Sequence, residues 1–321
     1  MKEIGGFFEL EINKDTEYYK DAVKVNSGRN AINYVLQANN IKTVYVPYFT
    51  CKTVIEPIET LGLKYIFYAI DEKLEIVDIK PEMMKADEKI IYINYFGVKN
   101  DYVDELAMRF ADKLIVDNTQ AFYKKPIDSI DTCYSPRKFF GVADGGYVYT
   151  NTLLGQSLER EFTFDRCQFL LGRVEKSASE AYADYCRHNE EMCFRPLMAM
   201  SKLTQDMLSS INYEKARLIR ERNFWYLNDQ LKEFNELEIE FHQITGPMVY
   251  PFLIEIKGLR AYLIKNNVYV ATYWNEVLDY IDDLGSLETK FTNYLLPLPI
   301  DQRYELTEME TIVRLIKKYI V

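Results

Sequence analysis

The stretch Leu114–Thr150, LIVDNTQAFYKKPIDSIDTCYSPRKFFGVADGGYVYT, decides how the rest of the chain is read. It opens with an apolar strand that ends on a carboxylate, Asp117, and continues through a polar turn containing Gln120. A second short strand ends near Cys133, and Lys138 stands between Pro136 and two phenylalanines. Gly145 and Gly146 then lead into a strand over Tyr147–Thr150. A lysine beside aromatic rings is readily desolvated, which lowers its pKa and makes the amine a nucleophile. A carboxylate at the carboxyl end of a strand in an open α/β sheet faces the crevice where ligands bind. Together the two groups point to an aldehyde-bearing ligand gripped at both ends.

Outward from this stretch, sheet and helix alternate. Strands are expected at Thr43–Pro47, Lys64–Tyr68, Lys89–Ile93 and Lys113–Asp117. Helices are expected at Thr53–Leu61 and Val103–Phe110, with a helical turn at Pro81–Ala86. That spacing implies βαβ units and a mostly parallel sheet, hence an α/β fold. Asn94-Tyr95-Phe96-Gly97 follows a strand end and should also face the crevice. Upstream, Ser27-Gly28-Arg29-Asn30 opens a helix whose Ala31, Ile32, Val35 and Leu36 share a face, with Ser27 or Asn30 near the cap. Such a turn is either a plain cap or a phosphate seat, because free N–H groups and the helix dipole converge there. Residues 1–25 read as an irregular or strand-bearing entry anchored by Phe7 and Phe8.

Beyond Thr150 the pattern turns helical. Candidates are Leu153–Arg160, Glu175–Arg187 and a long helix from Ser201 to about Lys232, whose charge run Lys215–Arg222 reads as a solvated face. From about residue 237 a smaller α+β pattern follows, with strand-like LEIEF, Val249–Ile256 and NYLLPLPI. Extended VYVATYW lies among helices at Leu259–Lys265, near Val277–Asp282 and at Glu305–Tyr319. The expected division is a large α/β domain over 1–205 and a connecting helix plus small domain over 206–321.

The bulk composition narrows the function classes. The 321 residues are 48% hydrophobic and 14% aromatic, which is the composition of a well-cored globular protein. A net charge of −10 argues against a general nucleic-acid or anionic-membrane binder, while leaving room for a local basic pocket. No apolar run approaches the roughly 20 residues needed to span a bilayer. The N-terminus, MKEIGGFFELEINKD, lacks a basic-then-apolar signal pattern, so a cytoplasmic location is the default expectation. Five cysteines without a CxxC, and only His188 and His242, argue against a metal site or a disulfide framework.

In order along the chain, these segments resemble the DegT/DnrJ/EryC1/StrS family, the sugar aminotransferases of pyridoxal phosphate (PLP) fold type I. Ser27-Gly28-Arg29-Asn30-Ala31-Ile32 is similar to that family's S-G-T-x-A-L. Val46-Pro47-Tyr48-Phe49-Thr50 resembles V-P-x-x-T, and Asn94-Tyr95-Phe96-Gly97 resembles H-x-x-G. Asp117-Asn118-Thr119-Gln120-Ala121 resembles D-A-A-Q-A, and Cys133-Tyr134-Ser135-Pro136-Arg137-Lys138 resembles S-F-x-P-T-K in register. Asp144-Gly145-Gly146 resembles E-G-G, and Leu296-Pro297-Leu298-Pro299 resembles L-S-L-P.

The resemblance implies a PLP-dependent aminotransferase acting on a keto sugar, nucleotide-linked, with glutamate as amino donor. Lys138 would form the internal aldimine and shuttle the proton, and Asp117 would pair with the pyridinium nitrogen. Gln120 would meet the 3′ oxygen or the ring face. Gly28 and Arg29 would take the phosphate, Arg29 standing where the family has threonine, with a substrate contact as the alternative for its side chain. Cys133 occupies the family's phosphate-binding serine position, with Ser135 on the same side of an extended segment as its substitute. Cys51 occupies the ring-stacking position, leaving Tyr48, Phe49 or Tyr95 to cover the ring. The family's neighbouring-subunit asparagine–arginine pair is missing around Leu197–Ala199, with Arg195 as the stand-in. A symmetric homodimer with shared sites follows from the resemblance. Two other readings stay open. One is a non-catalytic PLP- or sugar-binding relative; the other is a sugar dehydratase, against which Lys138 argues because that class replaces the lysine with histidine.

Overall fold

A computed structural model of the chain describes residues 4–13, 15–193, 195–242, 244–283 and 285–320. Its centre is a seven-stranded sheet of β1 (Val23–Val25), β2 (Thr43–Pro47), β3 (Lys64–Tyr68), β4 (Glu88–Ile93), β5 (Leu114–Asp117), β6 (Asp131–Tyr134) and β7 (Gly146–Tyr149). The order is β1-β7-β6-β5-β4-β2-β3. Strands β3, β2, β4, β5 and β6 run parallel, whereas β7 is antiparallel to both its neighbours. The mostly parallel α/β sheet is therefore as expected, and its five parallel strands end at one edge. There Ile93, Asp117 and Cys133 stand side by side in register.

Helices α1 (Gly28–Ala38), α2 (Lys52–Thr60) and α3 (Asn100–Phe110) connect these strands. Ala31, Ile32, Val35 and Leu36 of α1 pack with Val44, Val46, Ile91, Ile115 and Val148 into one apolar layer. The opposite face of the sheet belongs to a larger core that continues into the C-terminal part of the chain. Burial of these branched side chains on both faces is what a parallel sheet requires.

The chain goes on through α4 (Gln168–Glu175), α5 (Tyr182–Cys193), α6 (Lys202–Ser209) and α7 (Tyr213–Leu231). After them come β8 (Val249–Leu253), α8 (Leu259–Lys265), α9 (Val277–Tyr280), α10 (Leu287–Tyr294), β9 (Leu295–Pro299) and α11 (Leu306–Ile320). Strands β8 and β9 form an antiparallel pair. No helix among the described residues is long and apolar enough to cross a membrane.

Several expectations fail here for identifiable reasons. Leu153–Arg160 is not helical, because its end pairs with a distant segment: Ala199 N–H donates to Glu159 O at 2.7 Å and Glu161 N–H to Ala199 O at 2.9 Å. The helix expected over Glu175–Arg187 is two helices broken between residues 176 and 181. The long helix breaks at Ser210–Asn212, where the Asn212 side chain caps α7. LEIEF forms no strand; β8 is met by the residues before it, through Glu236 N–H to Leu253 O and the Asn235 side chain. Phe7 and Phe8 are 98% and 95% exposed, so they anchor nothing within this chain.

The charge run on α7 is also not wholly solvated. Arg220 is buried, and its guanidinium donates to Pro247 O and Met248 O at 3.1 Å and to Gln302 Oε1 at 2.9 Å. It lies 4.6 Å from the Phe139 ring, and Gln302 Nε2 donates to Phe139 O at 2.7 Å. The C-terminal part thus holds the residue that follows Lys138. Burial pushes the Arg220 guanidinium down to about 10.

The turn into α1 is fixed by backbone contact. A Cβ on Gly146 would stand 2.3 Å from Ser27 O, a distance that real side chains do not reach. Gly145 N–H donates to Asn26 O at 2.8 Å across the same approach. Gly146→Ala should lower the unfolding free energy by about 1–3 kcal/mol, as overpacking does. Gly155→Ala, where nothing lies within 4 Å, serves as the control in thermal unfolding. Equal melting temperatures for the two variants would contradict this reading of the turn.

Candidate active site

Helix α1 begins at the carboxyl edge of the sheet because Ser27 caps it, its Oγ accepting from Asn30 N–H at 3.1 Å. Gly28 is the first helical residue. A Cβ there would lie 3.0 Å from Ser135 Cβ, 3.4 Å from Ser135 Oγ and 3.1 Å from Thr119 Cγ2. The missing side chain leaves a small cradle of two hydroxyl-bearing residues under a helix N-terminus, a setting suited to an anion. Ser135 follows β6 and Thr119 follows β5, so the cradle is assembled from three connections at the same edge.

Asp117 closes β5 with its side chain buried. Desolvation raises its carboxyl pKa above the usual range, although a hydrogen bond from Thr119 N–H at 2.9 Å and the field of Lys138 pull the other way. Gln120 is also buried. Its Oε1 accepts from Phe96 N–H at 2.7 Å, while its Nε2 has no partner among the described residues. A buried amide donor without a partner is expensive, and a ligand acceptor would satisfy it.

Lys138 closes the short helical turn Pro136–Lys138 directly after Ser135. It is exposed, contrary to the desolvated lysine expected from its aromatic neighbours. Phe139 and Phe140 bury their rings in the core with Phe122 and Tyr213 instead of covering the amine.

Other site expectations are redirected. Arg29 is committed elsewhere: Nε lies 2.5 Å from Glu56 Oε2, and Nη1 donates to Met192 O at 2.9 Å. Its guanidinium is therefore drawn to Glu56 of α2 and the last turn of α5, away from the position expected for a phosphate partner. Cys133 is fully buried in the apolar layer under α1, its thiol pushed up by burial and by Asp117 and Asp131. Ser135, not Cys133, touches the Gly28 cradle. Arg195 lies 4.0 Å from Glu161, which Arg166 already engages at 2.8 Å.

The ring-covering candidates go to other partners too. Tyr48 stacks on Phe67 at 4.7 Å, on the edge strand β3. Phe49 and Tyr95 are fully buried, Tyr95 donating to Phe49 O at 2.8 Å. The turn Asn94–Gly97 is likewise buried and meets the connection after β5 through Phe96 N–H to Gln120 Oε1 and Asn94 Nδ2 to Asn118 Oδ1 at 3.0 Å. Cys51 precedes α2 half-buried and accepts from Thr53 Oγ1 at 3.1 Å.

Three residues not singled out in the sequence join this neighbourhood. Thr119 lines the cradle. Tyr273 is half-buried, stacks on Phe96 at 6.1 Å, and has its hydroxyl pushed up by burial and by Tyr185 and Cys51. Arg137 precedes Lys138 and donates to Asn189 Oδ1 at 2.8 Å. Its signal was the replacement of the threonine in S-F-x-P-T-K by arginine; Tyr273, far along the chain, had no such signal.

Residues 7–165 match the sequence model of the DegT/DnrJ/EryC1/StrS aminotransferase family. That span includes the whole seven-stranded sheet and the cradle, Asp117, Gln120 and Lys138. No curated protein matches the chain in sequence. Among solved structures the chain is similar to Streptomyces venezuelae DesV in complex with a ketimine intermediate. The TM-score is 0.63 at 17% identity, covering 93% of this chain and 84% of that one. Helicobacter pylori PseC, an aminotransferase involved in pseudoaminic acid biosynthesis, gives 0.62 at 14%, covering 93% and 86%. The PLP-form of Streptococcus pneumoniae Spr1654 gives 0.59 at 14%, covering 91% and 85%. At these identities the structures establish the fold, that of PLP aminotransferases of fold type I. The sequence match over the sheet and its crevice makes residues 7–165 similar to the DegT/DnrJ/EryC1/StrS aminotransferase family, whose members are PLP-dependent sugar aminotransferases.

Proposed function

We propose that the chain binds PLP at the carboxyl edge of its sheet and transfers an amino group from glutamate to a nucleotide-linked keto sugar. One observation carries this reading. A desolvated Asp117 in the field of Lys138 adjoins an anion cradle of Gly28, Thr119 and Ser135. The unpartnered Nε2 of Gln120 supports the fit, since it lacks an acceptor. The substrate class and the donor rest on the family alone.

Each residue has a task in this scheme. Asp117 would hold a proton on the ring nitrogen, and Gln120 would orient the ring oxygen through its free amide N–H. Gly28, Thr119 and Ser135 would seat the phosphate. Bound PLP supplies the electron sink that acidifies the Cα–H of the donor. Lys138 would anchor the cofactor covalently and, once freed, carry that proton, because an amine on a short mobile stem serves both roles. The chain is further proposed to act as a homodimer.

The reading of a non-catalytic PLP- or sugar-binding relative draws on one feature. Cys51 replaces an aromatic, and Tyr48, Phe49 and Tyr95 are all engaged elsewhere. Glutamate distinguishes the two readings. The PLP-loaded protein should show the visible band of lysine-bound cofactor and bleach on glutamate addition. Lys138→Ala should abolish the band and slow the glutamate half-reaction by about 10²–10⁴-fold from lost acid–base catalysis alone. A band indifferent to every amino donor would favour the binding protein, and no band at all would remove the cofactor reading.

The buried carboxylate has a stability consequence. With its folded pKa raised, Asp117 favours folding only where it is protonated, and that contribution is lost as pH rises through the folded value. Asp117→Asn removes the charge. The cofactor-free variant should therefore melt above the wild type at pH 7, and the difference should vanish well below the ordinary carboxylate range. A lower melting temperature at pH 7 would show that the charge is compensated in the fold.

A further inference from the structure

Three guanidinium groups approach α5: Arg29 at Met192 O, Arg137 at Asn189 Oδ1, and Arg166 at Met192 Sδ. Arg29 is paired with Glu56 and Arg166 with Glu161. Among the described residues Arg137 has no carboxylate at ion-pair distance, and its Nε is sealed from water without a hydrogen-bond partner. Asp144 is within its electrostatic range, but that carboxylate is already occupied by Ser201 N–H at 2.8 Å, Ser201 Oγ at 2.7 Å and Thr204 Oγ1. His188, held down to about 4 by burial and by Arg137, stays neutral and offers no anion.

An arginine does not discharge by losing its proton, so a desolvated guanidinium without a paired carboxylate calls for an external anion. Its place in the chain says which anion. Ser135, two residues earlier, lies against the Gly28 cradle, and Lys138 follows directly. We propose that Arg137 is the cationic partner of the ligand's phosphate, completing the Gly28–Thr119–Ser135 cradle from within the same subunit. The planar fork of a guanidinium suits a phosphate, and Arg29, the cation expected there, is taken up by Glu56. This inference rests on the cofactor reading above.

The test compares PLP with pyridoxal, which lacks the phosphate. Cofactor-free wild type, Arg137→Thr and Arg137→Lys are titrated with each, followed by the visible band and by tryptophan fluorescence. Arg137→Thr should weaken PLP on the order of 10–100-fold, as loss of a charge-assisted contact does, and leave pyridoxal unchanged. Arg137→Lys should recover part of the PLP affinity. Equal weakening of both ligands would mean that Arg137 supports the fold and would overturn the proposal. Unchanged PLP affinity with a raised KM for the dicarboxylate donor would assign the guanidinium to substrate and overturn it equally. If the wild type takes up neither ligand, the cofactor reading itself fails, and does so before any variant is compared.

Discussion

The site depends on a backbone-to-backbone contact between the turn into α1 and the antiparallel strand β7. Gly146 lies so close to the Ser27 carbonyl that any side chain would collide with it. That contact brings the N-terminus of α1 against the connection leaving β6. The cradle around Gly28 exists because two segments of the chain more than 100 residues apart meet without side chains between them. The parallel strands supply the rest, since their common direction puts Asp117 and the connections bearing Thr119 and Ser135 at one edge.

Buried charge is handled in three ways around this edge. Asp144 is saturated by the N-terminal turn of α6 and serves structure. Arg220 is surrounded by carbonyl oxygens and a phenylalanine face, which ties the C-terminal part of the chain to the residue after Lys138. Asp117 and Arg137 are the exceptions. The carboxylate accepts a bond from Thr119, yet burial still dominates its ionisation, and the guanidinium has no carboxylate at ion-pair distance among the described residues. Groups left in that state in a well-packed protein mark a site for a ligand of complementary charge.

The departures from the family pattern fall on both sides of the cradle. Cys133 joins the apolar layer, Arg29 ties α1 to α2, and the expected stacking aromatics serve the core. Arginine at 137 lies beside these losses and adds a cationic donor next to Lys138.

Sequence alone determined the mostly parallel sheet, a helix cap at Ser27 or Asn30, the end of β5 at Asp117 and the order of the segments that meet at the crevice. Those features follow from local rules: alternating periodicity, turn residues and capping chemistry act over a few positions. The tertiary structure alone decided where long side chains go. Arg29 is satisfied by Met192, 163 positions away, and Tyr48 by a ring on the edge strand. Phe7 and Phe8 are left exposed, and the helices after Thr150 break where caps and distant backbone partners dictate. A flexible charged or aromatic side chain takes whichever partner the fold brings within reach, and that choice leaves no mark at its own position in the chain.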